Sequence, residues 1–181
     1  SILTDSGGYQ VFSLSQLRKM SEQGVEFRSH VDGSRHLLTP EKAVEIQETL
    51  GSDIMMALDE CPSKDADEDY CRSSMALTTR WARRCLSHRT SDNALFGIAQ
   101  GGMHAKLRRQ HAAEMAGHPF DGLAVGGLSV GESSETMDEM LAATMEALPE
   151  DRPRYFMGVG RPADILRAVA RGVDMFDCVL P

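Results

Sequence analysis

Apolar residues in this chain gather in short compact runs, and between the runs they recur every third or fourth position. The runs are SILT at the start, DIMMAL (53–58), ALFGIA (94–99), GLAV (122–125), YFMGVG (155–160) and VDMFDCVL (173–180). Short runs bounded by glycine or acids predict buried strands, and the helical recurrence predicts amphipathic helices. One helix is expected from Thr39-Pro40, an N-cap and first-turn proline, through Ala43, Ile46 and Leu50 to Gly51. A second, from about Ala66 to His88, places Tyr70, Ser74, Leu77, Trp81 and Cys85 on one stripe. Others are expected from about His104 to Ala116, Ser134 to Leu148 and Pro162 to Arg171. Asp32-Gly33, between the extended-looking arms of FRSHVDGSRHLL, predicts a β-hairpin inserted after the first strand.

Strands separated by helices imply parallel pairing with right-handed crossovers. Asp5, Asp59, Gln100, Gly126-Gly127, Met157-Gly158 and Asp177 each fall at or near the C-terminal end of a run. An open doubly wound sheet would scatter such ends along a line, whereas a (β/α)8 TIM barrel brings them to one face, where barrels carry their sites. The expected fold is therefore α/β, an incomplete (β/α)8 TIM barrel with about six of the eight strands, plus the hairpin. Because the chain opens at Ser1 directly into the pattern and stops at Pro181 just after a run, residues 1–181 are expected to be one partial barrel domain of a longer protein.

A hydrophobic content of 41% is enough for a real core, and the formal net charge of −8 argues against nucleic-acid binding through overall charge. Two basic clusters qualify this: Arg80, Arg83, Arg84, His88 and Arg89, then Lys106, Arg108, Arg109 and His111. They read as solvated outer faces of helices. No signal peptide or run long enough to span a membrane is apparent, so a cytoplasmic protein is expected. Cys61, Cys71, Cys85 and Cys178 form no CxxC pair and no zinc-like cluster, which predicts free thiols and no metal site in this stretch.

The converging residues offer three carboxylates, an amide, glycine-flanked backbone donors, and the flat or soft side chains of Tyr9 and Met157. Carboxylates serve as nucleophile, base or acceptor for an N–H edge, and tyrosine with methionine can sandwich a ring, so a planar, hydrogen-bond-rich substrate fits best. Singly, each residue has a plainer reading. Asp5 can cap its loop, Asp59-Glu60 can be a polar strand exit, and Gly126-Gly127 and Gly158-Gly160 can be tight turns or a phosphate cradle. Asp174 and Asp177 compete as nucleophile, since three residues apart on a strand they point to opposite faces. Cys178 reads as a buried small apolar residue, His104 as a helix cap, and Met55, Met56, Met137, Met140 and Met145 as core.

The strings TDSGGYQVFSL, SDIMMALDECPS, FGIAQGGMH, LAVGGLSVGE, FMGVGRP and GVDMFDCVLP, in this order over nearly the whole chain, resemble the tRNA-guanine transglycosylases, which exchange a guanine in tRNA for a queuosine precursor. The resemblance implies that Asp177 is the nucleophile attacking the ribose C1′ to leave a covalent enzyme–RNA intermediate, and that Asp5 is the general base that deprotonates the incoming base. It implies that Asp59 accepts from the N–H edge of the base, that Ser6 and Gln100 contact it, and that the Gly127 amide donates to its carbonyl oxygen. By the same likeness the Leu128 carbonyl meets the aminomethyl group of the precursor, while Tyr9 and Met157 stack on the two ring faces. Cys61 and Val130 look bacterial, which makes 7-aminomethyl-7-deazaguanine (preQ1) the expected incoming base.

The partners implied are tRNA, with preQ1 or guanine as the base, and a second copy in a homodimer; no membrane is involved. The family carries zinc in a C-terminal Cys3His site that this sequence does not contain, and the 181 residues alone are expected to be inactive. Two other readings compete: a barrel glycoside hydrolase using Asp177 and Asp5, and a non-catalytic partner subunit, which would be expected to lack the nucleophile.

Overall fold

The apolar runs of the sequence become the strands of one parallel sheet. The computed structural model describes residues 1–10, 19–29 and 31–179. The sheet has the order β1 (Leu3–Thr4), β5 (Ile54–Met56), β6 (Ala94–Ala99), β7 (Gly122–Val125), β8 (Arg154–Phe156) and β9 (Met175–Phe176). Every neighbouring pair is parallel, from Leu3 beside Ile54 to Phe156 beside Phe176. Helices α1 (Pro40–Thr49), α2 (Glu68–His88), α3 (Ala105–Ala116), α4 (Ser134–Met145) and α5 (Pro162–Ala170) fill the crossovers. The sheet curls as part of a barrel, as the convergence of the marked strand ends predicted.

Between β1 and α1 sits an antiparallel sheet of β2 (Lys19–Met20), β3 (Val25–Arg28) and β4 (Arg35–Leu38). The Asp32-Gly33 hairpin is its β3–β4 pair, with Gly33 at φ 74°. Val11 to Leu14 of the TDSGGYQVFSL string lie outside the described residues, as do His30, Leu180 and Pro181. Thr39 caps α1 by accepting from the Lys42 amide, and Gly51, at φ 71°, follows its end. Helix α2 begins after the cap Asp67, and its buried stripe runs through Cys71, Ser74, Thr78, Trp81 and Cys85. Tyr70, expected on that stripe, is exposed at 45% and donates its hydroxyl to the buried Glu60 carboxylate.

Side chains alternate across the sheet with the strict period of two that strands impose. Met55, Leu95, Leu123, Val125 and Phe156 face outward into the main core with Trp81, Met115, Leu141 and the other helix residues. Met56, Phe96, Ile98, Ala124 and Tyr155 face inward as a second cluster, flanked by Leu3, Ile54, Met157 and Met175. This inner row sets the site, because Asp5, Gln100, Gly126, Met157 and Asp177 each stand two residues beyond an inward-facing residue. The five methionines expected in the core are buried.

Two expectations are corrected here. Arg108 and His111 are fully buried, so the KLRRQH cluster is not a solvated face, although its neighbour Arg109 pairs outside with Glu146 at 2.6 Å. Cys178 is exposed, not buried, standing two residues past the last strand; the other three cysteines are buried, and none of the four is in a disulfide. Among the described residues, no helix is long and apolar enough to cross a membrane.

Candidate active site

A cleft of about 290 Å³ opens over the C-terminal ends of the strands, near the small end of the range for ligand sites. Of the residues singled out, it is lined by Asp5, Tyr9, Asp59, Gln100, Gly127, Leu128, Met157 and Asp177, with Cys61 and Val130 also on its wall. Ser6 does not line it. That serine is buried beneath, giving its amide to Asp5 Oδ1 at 2.8 Å and accepting from the Gly8 amide with its hydroxyl. Larger hollows, about 450 Å³ over the hairpin sheet and about 640 Å³ against α1, are lined by scattered surface side chains and gather no comparable set of groups.

Three carboxylates meet in the cleft in three different settings. Asp59 is buried at the exit of β5, where the strand has ended and the alternation is reset across Ala57-Leu58. Its Oδ2 accepts from Gln100 Nε2 at 2.6 Å. Burial, reinforced by the nearby Asp5 charge, pushes its pKa up to about 7 against the opposing pull of the Gln100 hydrogen bond. Burial also raises Asp5, the Asp177 charge adding to it, while hydrogen bonds from the Ser6 amide and from Gln10 oppose the rise. Asp177 is exposed, and its Oδ1 accepts from the Tyr155 hydroxyl at 2.6 Å and the Gly158 amide at 2.8 Å. Both described donors fall on one oxygen and leave Oδ2 to the cleft. Burial and the Asp177 carboxylate raise the Tyr155 pKa, so the phenol stays a neutral donor.

Gln100 is held from behind as well. Its amide donates to His111 Nδ1 at 2.8 Å, which places the ring proton on Nε2, beside Thr79 Oγ1 at 3.2 Å. Burial drives His111 down to about 4, so the ring is neutral in this role. The Gln100 Oε1 atom is buried with no hydrogen-bond partner among the described residues. A Cβ at Gly127 would collide with that oxygen, so the glycine, at φ 66°, keeps the space before it open. Beyond Gly127, Glu132 accepts from the Ser129 and Val130 amides, and Ser129 holds φ 62° with its hydroxyl donating to Gly158 O at 3.0 Å.

The lining contains no Lys, Arg or His among the described residues. A cleft with three carboxylates and no cation cannot be the phosphate cradle that the glycine pairs left open, and Gly158 spends its amide on Asp177. It suits a ligand that presents N–H donors and one or two carbonyl acceptors. Asp174, three residues before Asp177, does not look to the other face of a strand: β9 is only two residues long, so the two acids bracket it. Asp174 accepts from the Arg154 amide at 2.8 Å at the far end of the sheet.

A sequence model of the queuine tRNA-ribosyltransferase family matches residues 1–181. The chain belongs to this family. It is 59% identical over 182 aligned residues to a queuine tRNA-ribosyltransferase of Natranaerobius thermophilus, covering 99% of this chain and 49% of that protein. Similar proteins of the same name from Halothermothrix orenii and Staphylococcus aureus are 58% and 57% identical, each with 48% of its length covered. The chain thus spans about half the length of the curated relatives it matches. Among the described residues no three His, Cys, Asp or Glu side chains cluster so as to hold a metal.

Reasoning from sequence missed Tyr155, Glu132, and the pair Arg108 and His111. Tyr155 was legible: it stands two residues before Met157, which lies just past the same strand, hence on the same inner face. Arg108 and His111 were not, because the helical period of α3 carries no sign of which polar residues have partners inside. His104, expected to cap α3, occupies the N-cap position without capping; its Nε2 lies 3.2 Å from Ala66 O.

Proposed function

We propose that the protein carrying this chain is a tRNA-guanine transglycosylase that exchanges guanine at the anticodon wobble position for preQ1 through a covalent Asp177–ribose intermediate. The observation that carries the reading is the free oxygen of Asp177, fixed by Tyr155 and Gly158, in the same cleft as the buried Asp59–Gln100 pair. Asp177 Oδ2 attacks C1′ of the target ribose as the C1′–N9 bond breaks, and its electron pair leaves with guanine. Asp5 is the general base that takes a proton from N9 of the incoming base, and the proton balance closes when N9 of the departing guanine is protonated. The deprotonated base attacks C1′, the ester bond to Asp177 breaks, and the carboxylate is regenerated.

Base recognition rests on Asp59 and Gln100 at the N–H edge, the Gly127 amide at the carbonyl oxygen, the Leu128 carbonyl at the aminomethyl group, and Tyr9 with Met157 on the ring faces. Ser6 supports Asp5 from below. Val130 and Cys61 on the wall favour the small preQ1 over a bulkier base. The tRNA phosphates are held outside this cleft, since nothing cationic lines it among the described residues, and a cytoplasmic homodimer is the assembly the resemblance implies. Incubating the full-length protein with tRNA labelled in guanine tests the reading. Release of label only on adding preQ1 or guanine supports exchange, and release to water alone supports a hydrolase. Asp177→Asn should remove the covalent RNA adduct from a denaturing gel, and a surviving adduct would place the nucleophile elsewhere. The 181 residues alone are expected not to turn over.

A further inference from the structure

Arg108, on α3, is fully buried and joins no ion pair among the described residues. Its described hydrogen bonds go to neutral carbonyls: Nε to Gly102 O at 2.8 Å, Nη1 to Gly126 O at 2.8 Å and Nη2 to Gly127 O at 3.0 Å. Burial lowers its pKa only to about 10, so it remains charged at neutral pH. The nearby Glu132 charge favours the cation without forming an ion pair with it; a buried charge so loosely balanced is costly, and a loop that needed only to be held in place could use a neutral side chain. The two carbonyls that share the guanidinium belong to consecutive peptides in the wall of the cleft.

A trans peptide points its C=O and the following N–H in opposite directions, and the described chain has no cis bonds. Pinning Gly126 O and Gly127 O on the arginine therefore turns the Gly127 and Leu128 amides away from it, to the side of the cleft that both residues line. Gly127 at φ 66° brings these successive amides together, as in backbone nests that hold electronegative atoms. Neither amide has a protein acceptor among the described residues. The guanidinium also polarises both peptides, which strengthens their N–H groups as donors.

We propose that Arg108 is a positioning residue that aims the Gly127 and Leu128 amides into the cleft as a paired donor site for the carbonyl oxygen of the base. This rests on the base-exchange reading above and deepens it: one buried cation, never touching the ligand, sets the preference for a 6-oxo purine. The ligand 6-thioguanine separates this from a scaffolding role, because it keeps the N–H edge of guanine and replaces the carbonyl oxygen by sulfur, a poor acceptor.

Affinities of the full-length protein for guanine and 6-thioguanine, measured by calorimetry for wild type, Arg108→Met and Arg108→Lys, give the test. Wild type should prefer guanine. Arg108→Met should weaken guanine about tenfold or more, the usual loss for a charge-assisted hydrogen-bond system, and weaken 6-thioguanine far less, so that the preference collapses. Arg108→Lys keeps the buried charge but cannot reach both carbonyls, and should give a smaller shift of the same sign; it carries the test if the methionine variant does not fold. Equal weakening of both ligands, an unchanged guanine affinity, or a wild type without preference would overturn the proposal. A wild type that binds neither base removes the base-exchange reading itself, and this role with it.

Discussion

At the N-terminal ends of the strands, acids stitch neighbouring strands together. Asp53 accepts from the Ile2 amide at 2.6 Å, Asp121 from the Leu95 amide at 2.9 Å, and Asp174 from the Arg154 amide at 2.8 Å. Asp121 also pairs with Arg89, and Asp174 lies 3.9 Å from the Arg154 guanidinium. Each stands just before a strand and accepts from an amide at the start of the strand beside it. At the C-terminal ends the same residue type meets no cation among the described residues: burial raises Asp5 and Asp59, the Asp177 charge adding to the first and the Asp5 charge to the second, and Asp177 keeps one oxygen open. The contrast separates an end whose acids add to stability from one whose acids are left at a cost to it, as the proposed chemistry would require.

Exchanging the proposed roles of the two acids around β9 gives the largest expected effect. Asp177→Asn should lower guanine exchange by ~10,000-fold or more with little change in melting temperature, whereas Asp174→Asn should melt earlier and exchange normally. Loss of exchange in Asp174→Asn with intact folding would erase the division between the ends. Next in size is Tyr155→Phe, which frees Asp177 Oδ1 from one of its two donors. It should reduce kcat by about tenfold to a hundredfold while KM for the base holds, a split readable in steady-state kinetics.

Asp59→Asn probes the cost of burying an acid at the C-terminal end. Its pKa is raised from 3.8 to about 7, so the folded chain keeps a proton that the unfolded chain gives up between those values. The contribution to stability is present at acid pH and is lost as pH rises through about 7. Removing the carboxylate should therefore stabilise the fold at pH 8, on the order of 2–4 kcal/mol, and flatten the melting profile between pH 5 and 8. The same variant should bind guanine more weakly. An unchanged melting temperature at pH 8 would mean that Asp59 is ionised at no expense to the fold. The smallest effect is expected from Asp121→Asn, which weakens a partly exposed ion pair and should cost about 1 kcal/mol in urea unfolding without touching kinetics.

Much of this was open to a reader of the sequence. The strand and helix order, the hairpin at Asp32-Gly33 and the cap at Thr39 follow from local spacing, and so does the gathering of Asp5, Asp59, Gln100, Gly127, Met157 and Asp177 at one end of a barrel-like sheet, whereas Leu128 was reached only through the family resemblance. These are properties of a residue and its near neighbours along the chain, which period and turn chemistry report directly. The tertiary structure alone decided who meets whom. It buried Arg108 under two carbonyls of the next strand's loop, set His111 behind Gln100, exposed Cys178, and sent Asp174 and Asp177 to opposite ends of a two-residue strand. A buried polar residue is stable only where its partners arrive, and those partners lie across helical crossovers whose packing leaves no trace in local periodicity.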